Sequence, residues 1–202
     1  MSKESIIKEI ENTANGQIKK DVKYKDEHDK EHKLTITMRR LGGRDRVRLQ
    51  HFMNAGDNMV QYGDLIEGLL EKALVFPHLS FKTVNEDIEK TSLVEQELEY
   101  EDYDGKKHKF LFHFTNVKDM LNLIRSARGA NESNELEQFF DFATEINAIK
   151  STSGKTLSLD DFDDAKRIND VANSIAEAIS KALNVNGFLN IALELQRFFL
   201  RS

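Results

Sequence analysis

Gly154-Lys155-Thr156 ends as a phosphate-cradling loop ends, with a glycine, a lysine for the phosphates and a hydroxyl for their magnesium. That loop needs another glycine five residues before Gly154, and Ile149 stands there. The preceding segment also carries helical spacing where the motif requires a strand, so P-loop chemistry is excluded. Asp102-Tyr103-Asp104-Gly105 groups carboxylates around a glycine as a calcium loop does. With Gly105 at the turn position, however, Tyr100 and Leu111 fall where the first ligand and the bidentate glutamate belong. A hairpin turn accounts for these residues. The six histidines are His28, His32, His51, His78, His108 and His113. His28 and His32 flank a charged tip with Asp26, Asp29 and Glu31, donors enough for adventitious metal but without the pattern of a closed tetrahedral site. His113 alternates with Phe112 and Phe114 and is expected to meet solvent or a neighbouring chain. No Ser/His/Asp set has a nucleophile elbow around it, and the carboxylate pairs lie in solvated runs. The expectation is a non-enzymatic protein with no catalytic residue, cofactor or metal.

Charge is more informative than catalytic motifs. Arg39, Arg40, Arg44, Arg46 and Arg48 place five arginines in ten residues, interrupted by Gly42-Gly43 and Asp45. Residues 86–104 run the other way, with nine acids and one lysine. Arginines near a helix start could hold phosphates, and adjacent glycines would let a backbone approach. Complementary pairing of the two blocks, within the chain or between identical subunits, is the preferred expectation. No aromatic residue interleaves the arginines for base stacking, and the net charge of −6 opposes a nucleic-acid partner.

The elements that would position these residues follow from hydrophobic spacing. The chain has 202 residues, no cysteine, no tryptophan and one proline, Pro77. A chain of that length buries roughly 70% of its unfolded surface and needs no disulfide to hold a core. Helical spacing runs through Leu65, Ile66, Leu69, Leu70, Ala73 and Leu74. It recurs through Val117, Met120, Leu121, Ile124 and Ala127, opened by Asn116 with Asp119 and closed by Gly129, and through Leu136, Phe139, Phe140, Ala143 and Ile146, with Asn134 and Glu137 as a capping box. Period-two alternation marks Val22, Tyr24, Leu34, Ile36 and Met38, then Leu98, Tyr100, Phe110, Phe112 and Phe114 around Asp104-Gly105.

The two alternating stretches align without a gap when the chain is slid by 76 residues. Tyr24/Tyr100, Asp26/Asp102, Lys30/Lys106, His32/His108 and Lys33/Lys109 are then identical. Duplication of a hairpin-plus-helix unit and convergent amphipathic patterning both account for this. Ser151 to Lys155 has the composition of a flexible connection. Beyond it the spacing predicts one long helix from Phe162 through Ile168, Ala172, Ile175, Ile179 and Leu183. Asp160, Asp161, Asp163 and Asp164 in its first turns would complement the helix dipole. Asn186-Gly187 breaks that helix and starts another, in which Phe188, Leu189, Ile191, Ala192, Leu193, Leu195, Phe198, Phe199 and Leu200 lie nearly all round. Such a helix is buried in its own core, in a homo-oligomer or against a partner.

Leu34-Thr35-Ile36-Thr37-Met38-Arg39-Arg40-Leu41-Gly42-Gly43-Arg44-Asp45 is a strand running into a helix start. Leu69-Leu70-Glu71-Lys72-Ala73-Leu74-Val75-Phe76-Pro77-His78-Leu79-Ser80-Phe81 is a helix ending in an apolar pair, a proline and Leu-Ser-Phe. In this order, over residues 33–81, the chain resembles the tail assembly chaperones of tailed bacteriophages and, more distantly, baseplate-assembly proteins of contractile-tailed phages. The resemblance implies a small, acidic, mostly helical protein that coats a long tape-measure protein, recruits tube subunits and leaves before the tail is complete. No catalytic residue is carried over, because the family has none.

The expected fold is therefore α+β and predominantly helical, with two similar antiparallel β-hairpins each leading into helices, plus a C-terminal helical pair. The expected units are residues 1–91, 92–150 and 151–202. Expected partners are a tape-measure-type client or tail tube subunits, together with self-association. The contact candidates are Phe188, Phe198, Phe199 and Leu200, with Arg39, Arg40 and Arg44 for self-association or client charge. Alternatives are a nucleic-acid-associated regulator using Arg39 to Arg48 and a permanent structural subunit of a virion. No apolar run approaches the ~20 residues of a membrane span, and the start lacks the apolar stretch of a signal peptide, so bacterial host cytoplasm is the expected location.

Overall fold

The computed structural model describes residues 16–26, 30–53, 61–129 and 133–201, with no account of the side chains of 127–129 and 133–134. The fold is α+β. A first hairpin, β1 (Gln17–Lys25) and β2 (Glu31–Arg39), leads into α1 (Gly43–Met53), α2 (Tyr62–Lys72) and a short third strand, β3 (Leu74–Phe76). After α3 (Phe81–Ile88) the order repeats. A second hairpin, β4 (Glu95–Glu101) and β5 (Lys107–His113), leads into α4 (Val117–Gly129), α5 (Ser133–Glu145) and β6 (Ile149–Ser151). Two helices end the chain, α6 (Ile168–Leu183) and α7 (Phe188–Arg201). The hairpins do not share a sheet; each belongs to its own antiparallel three-stranded sheet, ordered β1-β2-β3 and β4-β5-β6.

The chain divides into two compact units. One comprises Met1–Asp57, Asp64–Val84 and Asn184–Ser202, the other Asn58–Gly63 and Asn85–Leu183. This differs from the expected division at 91 and 150, and it separates the C-terminal helical pair. In the first unit α7 packs on β1, and in the second α6 packs on β4. Each hairpin thus has a covering helix, but the first receives its helix from the far end of the chain.

Alternation sets the register of both hairpins. Val22 pairs with Leu34 and Tyr24 with His32; Leu98 pairs with Phe110 and Tyr100 with His108. Ile36 and Met38 in β2, like Phe110 and Phe112 in β5, are buried, whereas Lys33, Thr35, Lys107 and Lys109 on the opposite face are exposed and Thr37 and Leu111 are half-buried. A slip of one residue would place those apolar side chains in water, at roughly 1.5–3 kcal/mol each. The third strands differ: β3 joins β2 across an irregularity between Thr37 and Met38, whereas β6 joins β5 in regular register through Phe112 and Ile149.

The first predicted helix ends at Lys72, and Ala73 and Leu74 are buried beyond it, Leu74 as the start of β3. The Asn116 cap is formed: its Oδ1 accepts from the Asp119 amide at 2.9 Å, and its Nδ2 donates to the Asp119 carboxylate at 2.6 Å. The third predicted helix begins at Ser133, one residue before Asn134, and the Asn134 half of the expected capping box lies outside the described side chains. Residues 151–155 are an ordered tight turn: Gly154 at φ 88° donates to the Ser151 carbonyl, and the Ser151 amide donates to Lys155. The expected long helix from Phe162 is instead two elements. Phe162 ends a 3-10 turn, Leu159–Phe162, and α6 starts only at Ile168. The break arises because residues 164–166 pair with the tip of the second hairpin: the Tyr103 amide donates to the Asp164 carbonyl and the Lys166 amide to the Glu101 carbonyl.

Candidate functional site

In α1 eleven residues make one helix and only Leu49 is buried. Leu49 seats against Gly68 of α2, where an added Cβ would lie 2.4 Å from Leu49 Cδ2, so the missing side chain admits the leucine. Arg44, Val47, Arg48 and His51, spaced i, i+3, i+4 and i+7, fall on the side opposite Leu49. All four are exposed, Val47 at 69%. Arg39, Arg40 and Arg46 are exposed as well, Arg46 on the other side of the helix. Arg39 is tied back, its Nε donating to the Lys72 carbonyl at the end of α2 at 2.6 Å.

The arginine block belongs to the first unit and the acidic run of residues 86–104 to the second. Among the described residues none of the five arginines has a carboxylate partner within 4 Å. The acids of β4 pair with lysines instead: Glu97 with Lys109 at 2.5 Å, Glu99 with Lys107 at 3.1 Å and Glu101 with Lys166 at 2.6 Å. The first two are diagonal cross-strand pairs, each lysine of β5 standing two residues from the position opposite its acid. Gly42 and Gly43 have open space where side chains would project.

The terminal helix is mostly core. Phe188 and Phe199 are 1% and 5% exposed, with Ile191, Ala192 and Leu195 buried beside them on one stripe. The Phe188 ring meets the edge of Phe81 at 6.2 Å. The all-round apolar pattern resolves because Leu189, Leu193 and Phe198 are half-buried, leaving Leu200 as the exposed one. Of the four contact candidates on this helix, Phe188 and Phe199 are enclosed within the fold, whereas Phe198 and Leu200 reach its surface.

The two hairpin tips carry the same side-chain constellation. Tyr24 stacks on His32 at 5.3 Å and 20°; Tyr100 stacks on His108 at 5.2 Å and 19°. His32 Nε2 donates to Asp26 Oδ2 at 2.7 Å, and His108 Nε2 to Asp102 Oδ2 at 2.7 Å. The other oxygen, Oδ1, closes the turn in both: Asp26 accepts from the Lys30 amide at 3.0 Å, Asp102 from the Asp104 and Lys106 amides at 2.9 and 2.8 Å. Three of the five identities in the internal alignment are these residues. Shared conformation at aligned positions is what duplication produces, and amphipathic patterning alone does not demand it.

The second tip has an addition that sequence reading missed. Asp164 accepts the Tyr100 hydroxyl at 3.0 Å through Oδ1, while its Oδ2 lies 3.9 Å from His108 Nε2. Asp102, His108 and Asp164 form a cluster whose ligand-type atoms lie within 4.8 Å of one another. The hydrogen bond from His108 is the leading cause holding the Asp102 carboxyl below its usual range. Burial, followed by the bond to Asp164, pushes the Tyr100 hydroxyl up to about 12. Nothing in the local sequence marks Asp164, because its place depends on the break before α6. His28 and Asp29 of the first tip lie outside the described residues. His113 is half-buried rather than solvent-facing; burial and then Lys150 lower its pKa, and its Nδ1 has no hydrogen-bond partner.

Comparison with known proteins yields no matching family model, curated protein or solved structure. Among the described residues no helix is long and apolar enough to cross a membrane.

Proposed function

We propose that the chain is a non-enzymatic, protein-binding assembly chaperone of the tailed-phage type, holding a long helical, tape-measure-type client and tail subunits. The observation that carries this reading is α1. A helix that buries one side chain in its own fold and turns Arg44, Val47, Arg48 and His51 outward contributes little to the core and has a surface to offer. An exposed valine beside arginines without carboxylate partners among the described residues suits an amphipathic helix with acidic flanks. Among the described residues of the first unit, Met53, Phe76 and Leu200 are exposed large apolar side chains as well. The resemblance over residues 33–81 spans the same helix.

The same arginines also favour a second reading, an anionic nucleic-acid partner. The exposed Val47 on the same face and the absence of interleaved aromatics weigh against it. Affinity purification of the tagged chain, co-expressed with its genomic neighbours, separates the two. The expected result is a long helical polypeptide or tube subunit that survives a high-salt wash from wild type and is lost from Arg44→Ala/Arg48→Ala and from Val47→Ser. These exposed substitutions should change folding stability by no more than about 0.5 kcal/mol, so lost binding reports lost contact. Recovery of nucleic acid that washes away with salt would replace the chaperone reading with the regulator. A client retained in finished particles would make the chain a permanent structural subunit.

A further inference from the structure

We infer that the tip of the second hairpin is a binding site for a divalent transition-metal ion, held by His108 Nε2 and by one carboxylate oxygen each of Asp102 and Asp164. The division of labour within each carboxylate supports this. Asp102 Oδ1 is occupied by two backbone amides and Asp164 Oδ1 by the Tyr100 hydroxyl. Their Oδ2 atoms remain directed at one imidazole nitrogen, at 2.7 and 3.9 Å. Hydrogen bonds that fix the non-coordinating oxygen of a ligand are what orients a metal site from outside. At metal–ligand bonds of about 2.0–2.2 Å, tetrahedral donors stand roughly 3.3 Å from one another, so the present spacing needs only small side-chain rotations.

The first hairpin is an internal control. Its Tyr24, Asp26 and His32 close the same clasp with a single carboxylate on the imidazole. Moving back 76 residues from Asp164 reaches Ile88, which is fully buried and has no donor atom. Among the described residues the first clasp therefore forms without a second acidic group, and the second carboxylate near His108 is surplus to it. Asp164 Oδ2 has no other partner among the described residues. Two carboxylates directed at one imidazole repel one another, and a cation bound between them relieves that repulsion. His108 and Asp164 are 30% and 53% exposed at their side chains, so an ion can reach the cluster and keep water in its remaining positions. One imidazole with two carboxylates and no thiolate suits zinc, manganese or cobalt rather than a soft ion.

The test is titration of the full chain with Zn2+ by calorimetry and with Co2+ by visible absorption. The variants are Asp164→Asn, His108→Gln and His32→Gln. The expected result is one saturable site, weakened at least tenfold by Asp164→Asn, abolished by His108→Gln and unchanged by His32→Gln. Asp164→Asn keeps an oxygen for the Tyr100 hydroxyl, and an unchanged circular dichroism spectrum and Tm confirm that its fold survives. No saturable binding in wild type would overturn the proposal. Equal loss in His32→Gln, or no loss in Asp164→Asn, would overturn it as well, by showing that binding is not at this cluster.

Discussion

The two hairpins close the same Tyr–His–Asp clasp at their tips, yet they are completed in different ways. In the second unit everything from β4 to α6 follows in one run of chain, and residues 164–166 return to pair with the hairpin tip. In the first unit the covering helix is α7, within the segment that joins the unit at Asn184, about 150 residues downstream of β2. Asn184 Nδ2 and Asn190 Nδ2 donate to the Lys25 and Lys23 carbonyls of β1, fastening the terminal segment along that strand. Local pattern is therefore copied between the units while closure is not. A first unit closed at long range bears the higher entropic cost of closure and should be the more easily opened.

Removal of residues 186–202 is the strongest way to break this comparison. It takes Phe188, Ile191, Leu195 and Phe199 out of the first unit, each worth roughly 1.5–3 kcal/mol of burial, which together approaches the whole stability of a typical domain. Hydrogen exchange should show the amides of Ile36 and Met38 losing protection while those of Phe110 and Phe112 keep it. Equal loss in both units would mean that they do not fold separately.

Gly187→Ala is a narrower disturbance of the same closure. Gly187 has φ 75° and passes so close to Tyr24 that an added Cβ would lie 2.5 Å from the ring. Alanine there should cost about 1–3 kcal/mol, through strain and displacement of the ring that stacks on His32. Thermal unfolding measures the loss, and Gly154→Ala, at φ 88° with open space around it, isolates the backbone share.

Acid titration gives the smallest effect and sharpens the comparison of the tips. The Asp102 carboxyl is held below its usual value, chiefly by the bond from His108, and Glu101 is lowered by Lys166. A depressed carboxylate contributes stability that is present above the unfolded pKa, near 4, and is lost as pH falls through the lower folded value. Chemical denaturation between pH 7 and pH 2 should show this decline in wild type and a shallower one in Asp102→Asn. An unchanged slope would mean that the His108–Asp102 bond is not linked to folding.

Much of this was legible in local residues. Period-two spacing located both hairpins and their buried faces, and Asn116 with Asp119 marked the start of α4, because alternation and capping act over a few residues. The internal alignment also contained the paired clasps, although it named their members only as identities. The arginine-rich segment was visible as well; that lysines of the second unit take the acids of β4 was not, because that pairing depends on the register of the hairpin and on the return of Lys166 to its tip.

By itself the sequence determined the α+β composition, the two hairpin registers, the break at Asn186-Gly187 and the segregation of charge, all of which follow from neighbours along the chain. Tertiary structure alone decided which helix covers which hairpin, that Phe188 and Phe199 are core while Val47 is bare, and that Asp164 joins His108. Each of those depends on partners distant in sequence. Their proximity is set by which apolar faces can be buried together, and no spacing within one segment encodes that choice.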